Sequence, residues 1–365
     1  MKRPLMTLLL GASAVMAGCN PFAPAEGLSP MTVEPRGGSI DVVREGERIV
    51  VTGRFAVEPG DAILTDDASA RLHLEGDRFA YLSTGTDVAL IDGSTLENRA
   101  GAVLLEASDG ATIAFDEVEA STAGGILRVE RDRASGSAAV MEGEARVAAP
   151  GQEPEDLGRL FEVSVVAGEV LDPRPYRVDD GDTWDRRYLA DVVELELQLQ
   201  RFADAVSAQT NGGRPRLEYF SGLAEGEDVG FMRSYLRRAT PTTDLIIGFS
   251  IASVDREPTL SESFRHAFSL REEGGQWGVV TSLLGVESER LLADLERLGS
   301  GILAAGGGRA TGVSFGPPPD GEGGPSGGPD SGAPEDGSGS PDEGEDDQTP
   351  EDGCHNVVDC TLQIP

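Results

Sequence analysis

The sequence has few residues of the types that bind metals or act as catalytic nucleophiles. Its 365 residues include three histidines, three cysteines and a single lysine, Lys2. No His-x-x-x-His or Cys-x-x-Cys spacing occurs, so a zinc or iron ligand set is missing. No phosphate-binding glycine–lysine loop or dinucleotide fingerprint is present. The sequence therefore predicts a protein that is not an enzyme and needs no cofactor or metal. The histidines, His73, His266 and His355, are expected to be strand or loop residues.

Positive charge is scarce as well. The chain carries 30 basic and 64 acidic residues, a net charge of −34, and every cation except Lys2 is arginine. Binding to phosphate groups depends on clustered cations, so this balance excludes nucleic acid and anionic phospholipid head groups as partners. A cation-containing or aromatic-lined patch would have to be built from the arginines and from aromatic residues that make up only 5% of the chain.

The N-terminus has the pattern of an export signal. Lys2 and Arg3 precede an apolar stretch from Leu5 to Ala17, which is shorter than the roughly 20 apolar residues that span a bilayer. Residues 16–19, Met-Ala-Gly-Cys, resemble the bacterial lipobox. The resemblance implies removal of residues 1–18 as a lipoprotein signal peptide and a diacylglycerol on Cys19. The protein would then be lipid-anchored on the extracytoplasmic side of the cell membrane. An ordinary secreted protein with an incidental cysteine is the alternative.

The segments next to the two termini are expected to be unfolded. Residues 19–38 contain four prolines and no apolar periodicity, which predicts a flexible tether. Residues 306–353 are mostly Gly, Pro, Ser, Asp and Glu, which predicts a disordered acidic linker. Cys354 and Cys360 would form a disulfide in an oxidising compartment and close a C-terminal tip, residues 354–365. The tip is either a peptide that docks on a partner or a terminal segment that blocks proteolysis.

Residues 39–178 have the pattern of a β-domain. Short runs alternate with period 2, as half-buried strands do, and no amphipathic helix interrupts them. The strand candidates are Arg48–Val51, Ala70–Leu74, Asp87–Ile91, Ala102–Glu106, Ile126–Glu130 and Ala138–Met141. The turn signals between them are Pro59-Gly60-Asp61, Glu75-Gly76-Asp77, Asp92-Gly93, Asp109-Gly110 and Glu142-Gly143. This spacing predicts a β-sandwich or barrel-like domain.

Two parts of this domain resemble the FecR domain. Residues 57–76 match its opening turn and strands, and residues 127–147 match its closing hairpin. The matching positions are Gly60, Asp61, Thr65, Ser69, Leu72, Leu74, Gly76 and Gly143. The sequence departs from the family at Gly124-Gly125-Ile126, where Arg-Gly-Thr is usual. Without the family, Gly60, Asp61, Gly76 and Gly143 are a structural turn motif: the glycines serve turns that need positive φ or tight packing, and Asp61 can bind the turn backbone.

The remaining folded part is expected to contain helices and strands. Residues 179–213 predict an amphipathic helix, and the apolar pattern is clear over residues 182–210. Asp182 or Thr183 can cap its start, and Asn211-Gly212-Gly213 ends it. Its apolar stripe should pack within the protein; a partner-binding helix is the alternative. Residues 214–305 predict a smaller α+β domain. Its helices are expected at Val229–Ala239 and Glu287–Leu298, and its three antiparallel strands at Leu245–Ala252, Phe264–Arg271 and Trp277–Leu284.

Three functions are compatible with these features. The FecR resemblance implies a non-enzymatic extracytoplasmic module that binds or senses an envelope protein. Signalling relatives act through a transmembrane helix and a cytoplasmic segment, and neither is expected here. The first alternative is binding or hydrolysis of an envelope polysaccharide by clustered carboxylates. Trp184, Trp277 and Tyr219 could form a small sugar-stacking platform for it. The second alternative is a structural spacer lipoprotein. The identity of the partner and the oligomeric state are unknown.

Overall fold

The computed structural model describes residues 31–133, 135–210, 217–224, 227–238, 240–255 and 259–305; for residues 209, 210 and 300–305 only the backbone is described. The predicted signal peptide, the lipidation of Cys19, the acidic linker and the Cys354–Cys360 bridge lie outside these residues, as does the predicted helix stop at 211–213. Within them, strands occupy the chain as far as Pro175 and helices begin at Thr183. This order confirms the expected β-rich part and the helix that follows it.

The described residues contain sixteen strands that form one hydrogen-bonded sheet. Every pairing among them is antiparallel except that of β10 with β9. The strands are β1 Thr32–Arg36, β2 Ile40–Arg44, β3 Glu47–Val51, β4 Phe55–Ala56, β5 Ala62–Thr65, β6 Ser69–His73, β7 Arg78–Leu82, β8 Thr86–Leu90, β9 Thr95–Ala107, β10 Ala111–Phe115, β11 Val118–Arg131, β12 Ser135–Ala148, β13 Glu155–Gly158, β14 Phe161–Val166, β15 Glu169–Val170 and β16 Arg174–Pro175.

Three long strands, β9, β11 and β12, connect two halves of the sheet. One half has the order β4-β1-β6-β7-β9-β11-β12-β14-β15, and the other runs from β3 through β2, β5 and β8 to β9 and β10. Apolar side chains of both halves, such as Leu72 and Ile63, belong to one buried core. The two halves therefore enclose a shared core as the layers of a β-sandwich do, which confirms the predicted architecture.

Two glycines allow the long strands to change partners. Gly125 (φ +130°) of β11 and Gly143 (φ +79°) of β12 are cross-strand partners. At this point β11 changes its other hydrogen-bonded neighbour from β10 to β9, and β12 changes its other neighbour from β14 to β13. A Cβ atom on Gly143 would overlap the carbonyl oxygen of Gly124, and one on Gly125 would overlap that of Glu142. The expectation of a hairpin turn at Gly143 is wrong, since this glycine lies inside β12. Its positive φ within the strand and the crowding of two backbones both favour glycine there.

The other residues of the turn motif lie in connections between strands. Gly60 (φ +97°) precedes β5, and Gly76 (φ +70°) lies between β6 and β7. The buried carboxylate of Asp61 accepts hydrogen bonds from the backbone N–H of Glu58 at 2.9 Å and from the Arg44 Nη2 at 2.6 Å. Burial opposes the ionised form, but these bonds outweigh it and lower the pKa of Asp61. The contacts hold the β4–β5 connection.

Eight helices follow in the described residues: α1 Thr183–Tyr188, α2 Ala190–Thr210, α3 Leu217–Leu223, α4 Met232–Arg237, α5 Thr242–Asp255, α6 Leu260–Glu272, α7 Trp277–Leu283 and α8 Ser288–Ala305. The predicted start is confirmed: the Asp182 side chain accepts from the backbone N–H groups of Trp184 and Asp185. The stripe of α2, from Val192 to Val206, is buried against other elements, as expected for an internal packing surface.

The three strands predicted after residue 240, Leu245–Ala252, Phe264–Arg271 and Trp277–Leu284, are wrong. Helices α5 and α6 contain the first two, and α7 covers the third except for its C-cap residue Leu284. Residues 245–252 are all buried, so their apolar run shows no periodicity that could distinguish a buried helix from a buried strand. The described residues of the predicted α+β domain therefore contain helices and no strand. The predicted helices at Val229–Ala239 and Glu287–Leu298 correspond to α4 and α8.

The predicted tether is too long at its C-terminal end. Residues Thr32–Arg36 form β1, in which Val33 is fully buried and pairs with Leu72 of β6. The four prolines concealed this strand; Pro35 lies inside it, close to its end. Among the described helices, none is both long and apolar enough to cross a membrane.

Candidate functional site

The outer face of the sheet is covered by helices over only part of its width. Cross-strand partners share a face, and one row runs from Glu34 through Arg71, Tyr81 and Leu104 to Arg128. Leu104 is buried in an apolar cluster beneath α1, α2 and α7. Tyr81 packs against the edge of this cluster, Arg71 lies one strand farther out, and both are half-buried. The outer face of β6 and β7 is therefore accessible to a binding partner.

Arginine and aromatic side chains occupy this uncovered face. His73 of β6 stacks on Phe79 of β7, with ring centroids 4.9 Å apart and 13° between the planes. The guanidinium carbon of Arg71 lies 4.1 Å from the centroid of Phe79 and 5.6 Å from that of Tyr81. Since Leu72 and Ala80 point into the core, the alternation of the two strands places the four polar and aromatic residues outside.

Helix α1 extends this surface. Arg187 is exposed, and its guanidinium carbon lies 5.3 Å from the Tyr81 centroid and 5.0 Å from the Tyr188 centroid. The hydroxyls of Tyr81 and Tyr188 donate to Glu106 Oε2 at 3.1 and 3.3 Å. Burial, together with the neighbouring Tyr81 and Glu106, raises the pKa of Tyr188. We call this set the aromatic–arginine surface; it comprises Arg71, His73, Phe79, Tyr81, Arg187 and Tyr188.

A buried ionic network fixes α1 on the sheet. Arg128 of β11 donates to Asp182 at 2.9 Å, to Asp185 at 3.2 Å and to the Tyr176 hydroxyl at 3.0 Å. The Tyr176 hydroxyl in turn donates to Asp185, which has no exposed surface. Burial raises the pKa of Asp185, and the bonds from backbone and side chains only partly offset it. Trp184 lies against the Arg128 guanidinium, 5.3 Å from ring centroid to guanidinium carbon. Arg187 and Tyr188 are thus positioned by contacts inside the protein.

In the described residues, Arg71 and Arg187 lack the carboxylate partner that several other arginines of this acidic chain have. Arg44, Arg78 and Arg128 each form an ion pair with a carboxylate. Within the described part of the chain, neither Arg71 nor Arg187 forms one, and the buried Nε of Arg71 has no hydrogen-bond acceptor. A guanidinium over an aromatic ring gains from the ring quadrupole but keeps unused N–H donors. The Nε of Arg71 is buried and out of reach of a ligand, but the other guanidinium N–H groups of the two side chains can still bind an acceptor.

A second concave site collects carboxylates. A cavity of about 560 Å³ is lined by Glu97, Asp116, Glu117, Arg131 and Arg133, together with Ala167 and Gly168. Asp116 is ion-paired with Arg131, and Glu97 is ion-paired with Arg99 at 2.8 Å. The described residues contain no group of three or more His, Cys, Asp or Glu side chains that could hold a metal ion. The cavity is thus a mixed-charge site in which two of three carboxylates already have arginine partners.

Several residues singled out in the sequence lie elsewhere. Trp184 belongs to the cluster under α1, whereas Trp277 and Tyr219 pack in the helical core, so these three do not form a sugar-stacking platform. Trp277 donates to Asp244 at 2.8 Å. His73 is part of the aromatic–arginine surface, and His266 is exposed on α6. His355 lies outside the described residues.

Comparisons with known proteins give limited similarity. No family model matches the sequence, and no curated protein matches it. Two crystal structures of an anti-sigma factor candidate from Parabacteroides distasonis ATCC 8503 are similar, with TM-scores of 0.30 and 0.28 at 14% and 15% identity. The matches cover 34% and 31% of this chain, and they span 63% and 58% of those chains. Similarity of this extent establishes neither family nor activity, and the FecR resemblance stays a prediction.

Proposed function

We propose that this chain is a non-enzymatic extracytoplasmic module, anchored by a lipid on Cys19, that binds another envelope protein through the aromatic–arginine surface. The observation that carries the proposal is the uncovered outer face of β6 and β7, where His73, Phe79 and Tyr81 lie beside Arg71. Tyrosine, phenylalanine and arginine are the residues enriched in protein–protein interfaces, and lysine and acidic residues are depleted there. The chain as a whole, in contrast, is strongly acidic.

The surface is also preorganised, which supports a binding role. Its strand residues are fixed by antiparallel pairing of β6 with β7. Its helical residues, Arg187 and Tyr188, follow directly from the segment that Arg128 holds through Asp182 and Asp185. A side chain already held in place loses little conformational entropy on binding, so more of its contact energy contributes to affinity.

Site-specific photo-cross-linking in intact cells tests this proposal. Glu34 is exposed and is the cross-strand partner of Arg71, so a photoreactive residue at position 34 lies beside the surface without replacing any member of it. Glu289, exposed on α8, provides the control position. We expect position 34 to yield a discrete cross-linked protein and position 289 to yield none. The additional substitution Tyr81→Ser should reduce the amount of that product. Identical products from positions 34 and 289 would contradict specific binding through the aromatic–arginine surface.

Binding to an envelope polysaccharide is a second candidate, favoured by the cavity that holds Glu97, Asp116 and Glu117. Paired carboxylates in a cleft are the arrangement that glycoside hydrolysis requires. Sedimentation of the purified full chain with peptidoglycan tests it, using Glu117→Gln as the variant and the exposed Glu289→Gln as the control. Co-sedimentation that Glu117→Gln abolishes would support this function. A spacer lipoprotein, in contrast, would tolerate every one of these surface substitutions without a phenotype.

A further inference from the structure

The arginines of the aromatic–arginine surface have unused hydrogen-bonding capacity. Arg71 and Arg187 both lie over the Tyr81 ring and have no carboxylate partner in the described part of the chain. The tyrosine hydroxyls, by contrast, are already engaged, because both donate to Glu106. What the surface can offer a ligand is therefore guanidinium N–H donors beside aromatic rings. Such donors bind planar carboxylates in bidentate fashion.

We propose that Arg71 and Arg187 bind the carboxylates of an acidic, extended segment of the protein partner. This inference rests on the proposed function and names the chemistry that the partner must present. The two cations are complementary in charge to such a segment. Arg71 is half-buried, so a carboxylate bound there is less screened than at the open surface, whereas Arg187 is exposed. The chain's distant acids are screened beyond about 8 Å at 0.15 M salt, so they oppose such binding only weakly.

A polypeptide fits this surface better than an acidic sugar. A sugar ring needs a free aromatic face to stack on. His73 lies parallel to Phe79, and Arg71 lies 4.1 Å from the same ring centroid. Both groups are therefore already in contact with the ring that a sugar would have to stack on. A peptide carboxylate needs only the guanidinium edges, and its neighbouring side chains can pack on the ring edges.

The test uses the purified full chain and two fluorescein-labelled peptides, one alternating Glu and Leu and the other alternating Gln and Leu. We expect the Glu peptide to bind and the Gln peptide to bind at least about tenfold more weakly, since charge-assisted hydrogen bonds are lost. Arg187→Gln should weaken binding of the Glu peptide by a similar factor. Arg71→Lys, which keeps the charge but not the planar fork, should weaken it by less. Arg265→Gln, at an exposed site on α6, removes the same charge and should have no effect.

Three results would overturn the proposal. Equal binding of the two peptides would show that apolar contact alone is responsible. Equal loss in Arg187→Gln and Arg265→Gln would show that only net charge is sensed. Binding of oligogalacturonate in preference to the Glu peptide would replace the polypeptide with an acidic sugar. If neither peptide binds while the cross-linked product at position 34 persists, carboxylate recognition is wrong and protein binding stands; loss of that product instead removes the proposed function itself.

Discussion

The substitution Gly143→Ala should destabilise the β-sandwich strongly, for a reason that the structure separates into two parts. The first is conformational: Gly143 has φ +79°, and an L-residue in the left-handed region costs about 1–2 kcal/mol. The second is steric, because the new Cβ would overlap the carbonyl oxygen of Gly124 on the neighbouring strand. Overpacking of this kind costs about 1–3 kcal/mol more. The expected total is about 2–5 kcal/mol.

Two other glycines separate these contributions experimentally. Gly60 has φ +97°, but a Cβ added there would meet no atom within 4 Å, so Gly60→Ala carries the conformational cost of about 1–2 kcal/mol alone. Gly158 has neither positive φ nor a close neighbour, and Gly158→Ala should lie within about 0.5 kcal/mol of wild type. The three substitutions add the same methyl group, so their order of stability reports the local backbone.

Urea unfolding of the full chain, followed by far-ultraviolet circular dichroism at a wavelength dominated by strands, measures these differences. Midpoints should fall in the order wild type and Gly158→Ala, then Gly60→Ala, then Gly143→Ala, with unchanged m-values. Equal midpoints for Gly60→Ala and Gly143→Ala would refute the claim that β11 and β12 approach too closely for a side chain. A simple hairpin turn at Gly143 would produce that equality.

Three further predictions concern ionic groups and the anchor. Arg128→Leu should lower the free energy of unfolding, measured in urea, by about 3–5 kcal/mol, because it leaves Asp185 buried without its cation. Arg146→Leu breaks an exposed pair and should lower it by about 0–1 kcal/mol. Similar losses in the two variants would contradict the network. Although burial opposes its ionisation, Asp61 has a lowered pKa. The stabilisation by its ionised carboxylate is therefore present above the unfolded-state pKa of about 3.9 and is lost as pH falls through the lower folded-state pKa. Asp61→Asn should show a smaller drop in melting temperature on acidification than the wild type, and parallel pH profiles of the two proteins would exclude this role. Without cross-linking, Cys19→Ser should move the protein into the soluble fraction, and its sedimentation with salt-washed membranes would disprove the lipid anchor.

The sandwich was predictable because its strands alternate. Ala70–Leu74 alternates apolar and polar residues with period 2, and the structure buries Leu72 while leaving Arg71 and His73 half-exposed. The helical part was harder to predict because such a pattern is missing there. In α5 both sides of the segment are buried, so the periodicity that distinguishes helix from strand is absent. Gly248 of α5, where a Cβ would overlap the Phe268 ring, was the local sign of close helix packing.

The candidate site was only half visible in the sequence. The turn at Gly76 joins β6 to β7, and a hairpin with that turn places Arg71 and Tyr81 side by side. That signal was available from the alternation of both strands. The contribution of Arg187 was not, because it depends on α1 returning to a strand more than a hundred residues earlier in the chain. The network of Arg128 with Asp182 and Asp185 that brings it there is a tertiary contact without a local pattern.

The proposed anchor and the proposed surface constrain the partner together. Cys19 and Met31 are twelve residues apart, and an extended chain spans at most about 3.6 Å per residue, so a lipid on Cys19 keeps Met31 within about 45 Å of its attachment point. Thr32, next in the chain, is the cross-strand partner of His73, and Glu34 is that of Arg71, so the surface lies directly beside the first described strand. A protein that reaches this surface must therefore extend close to the same membrane. The cross-linked product at position 34 is expected to fractionate with membranes even when Cys19→Ser has released the module itself, because the partner then supplies the only attachment. A product found wholly in the soluble fraction of that variant would mean that the partner is not held at the membrane.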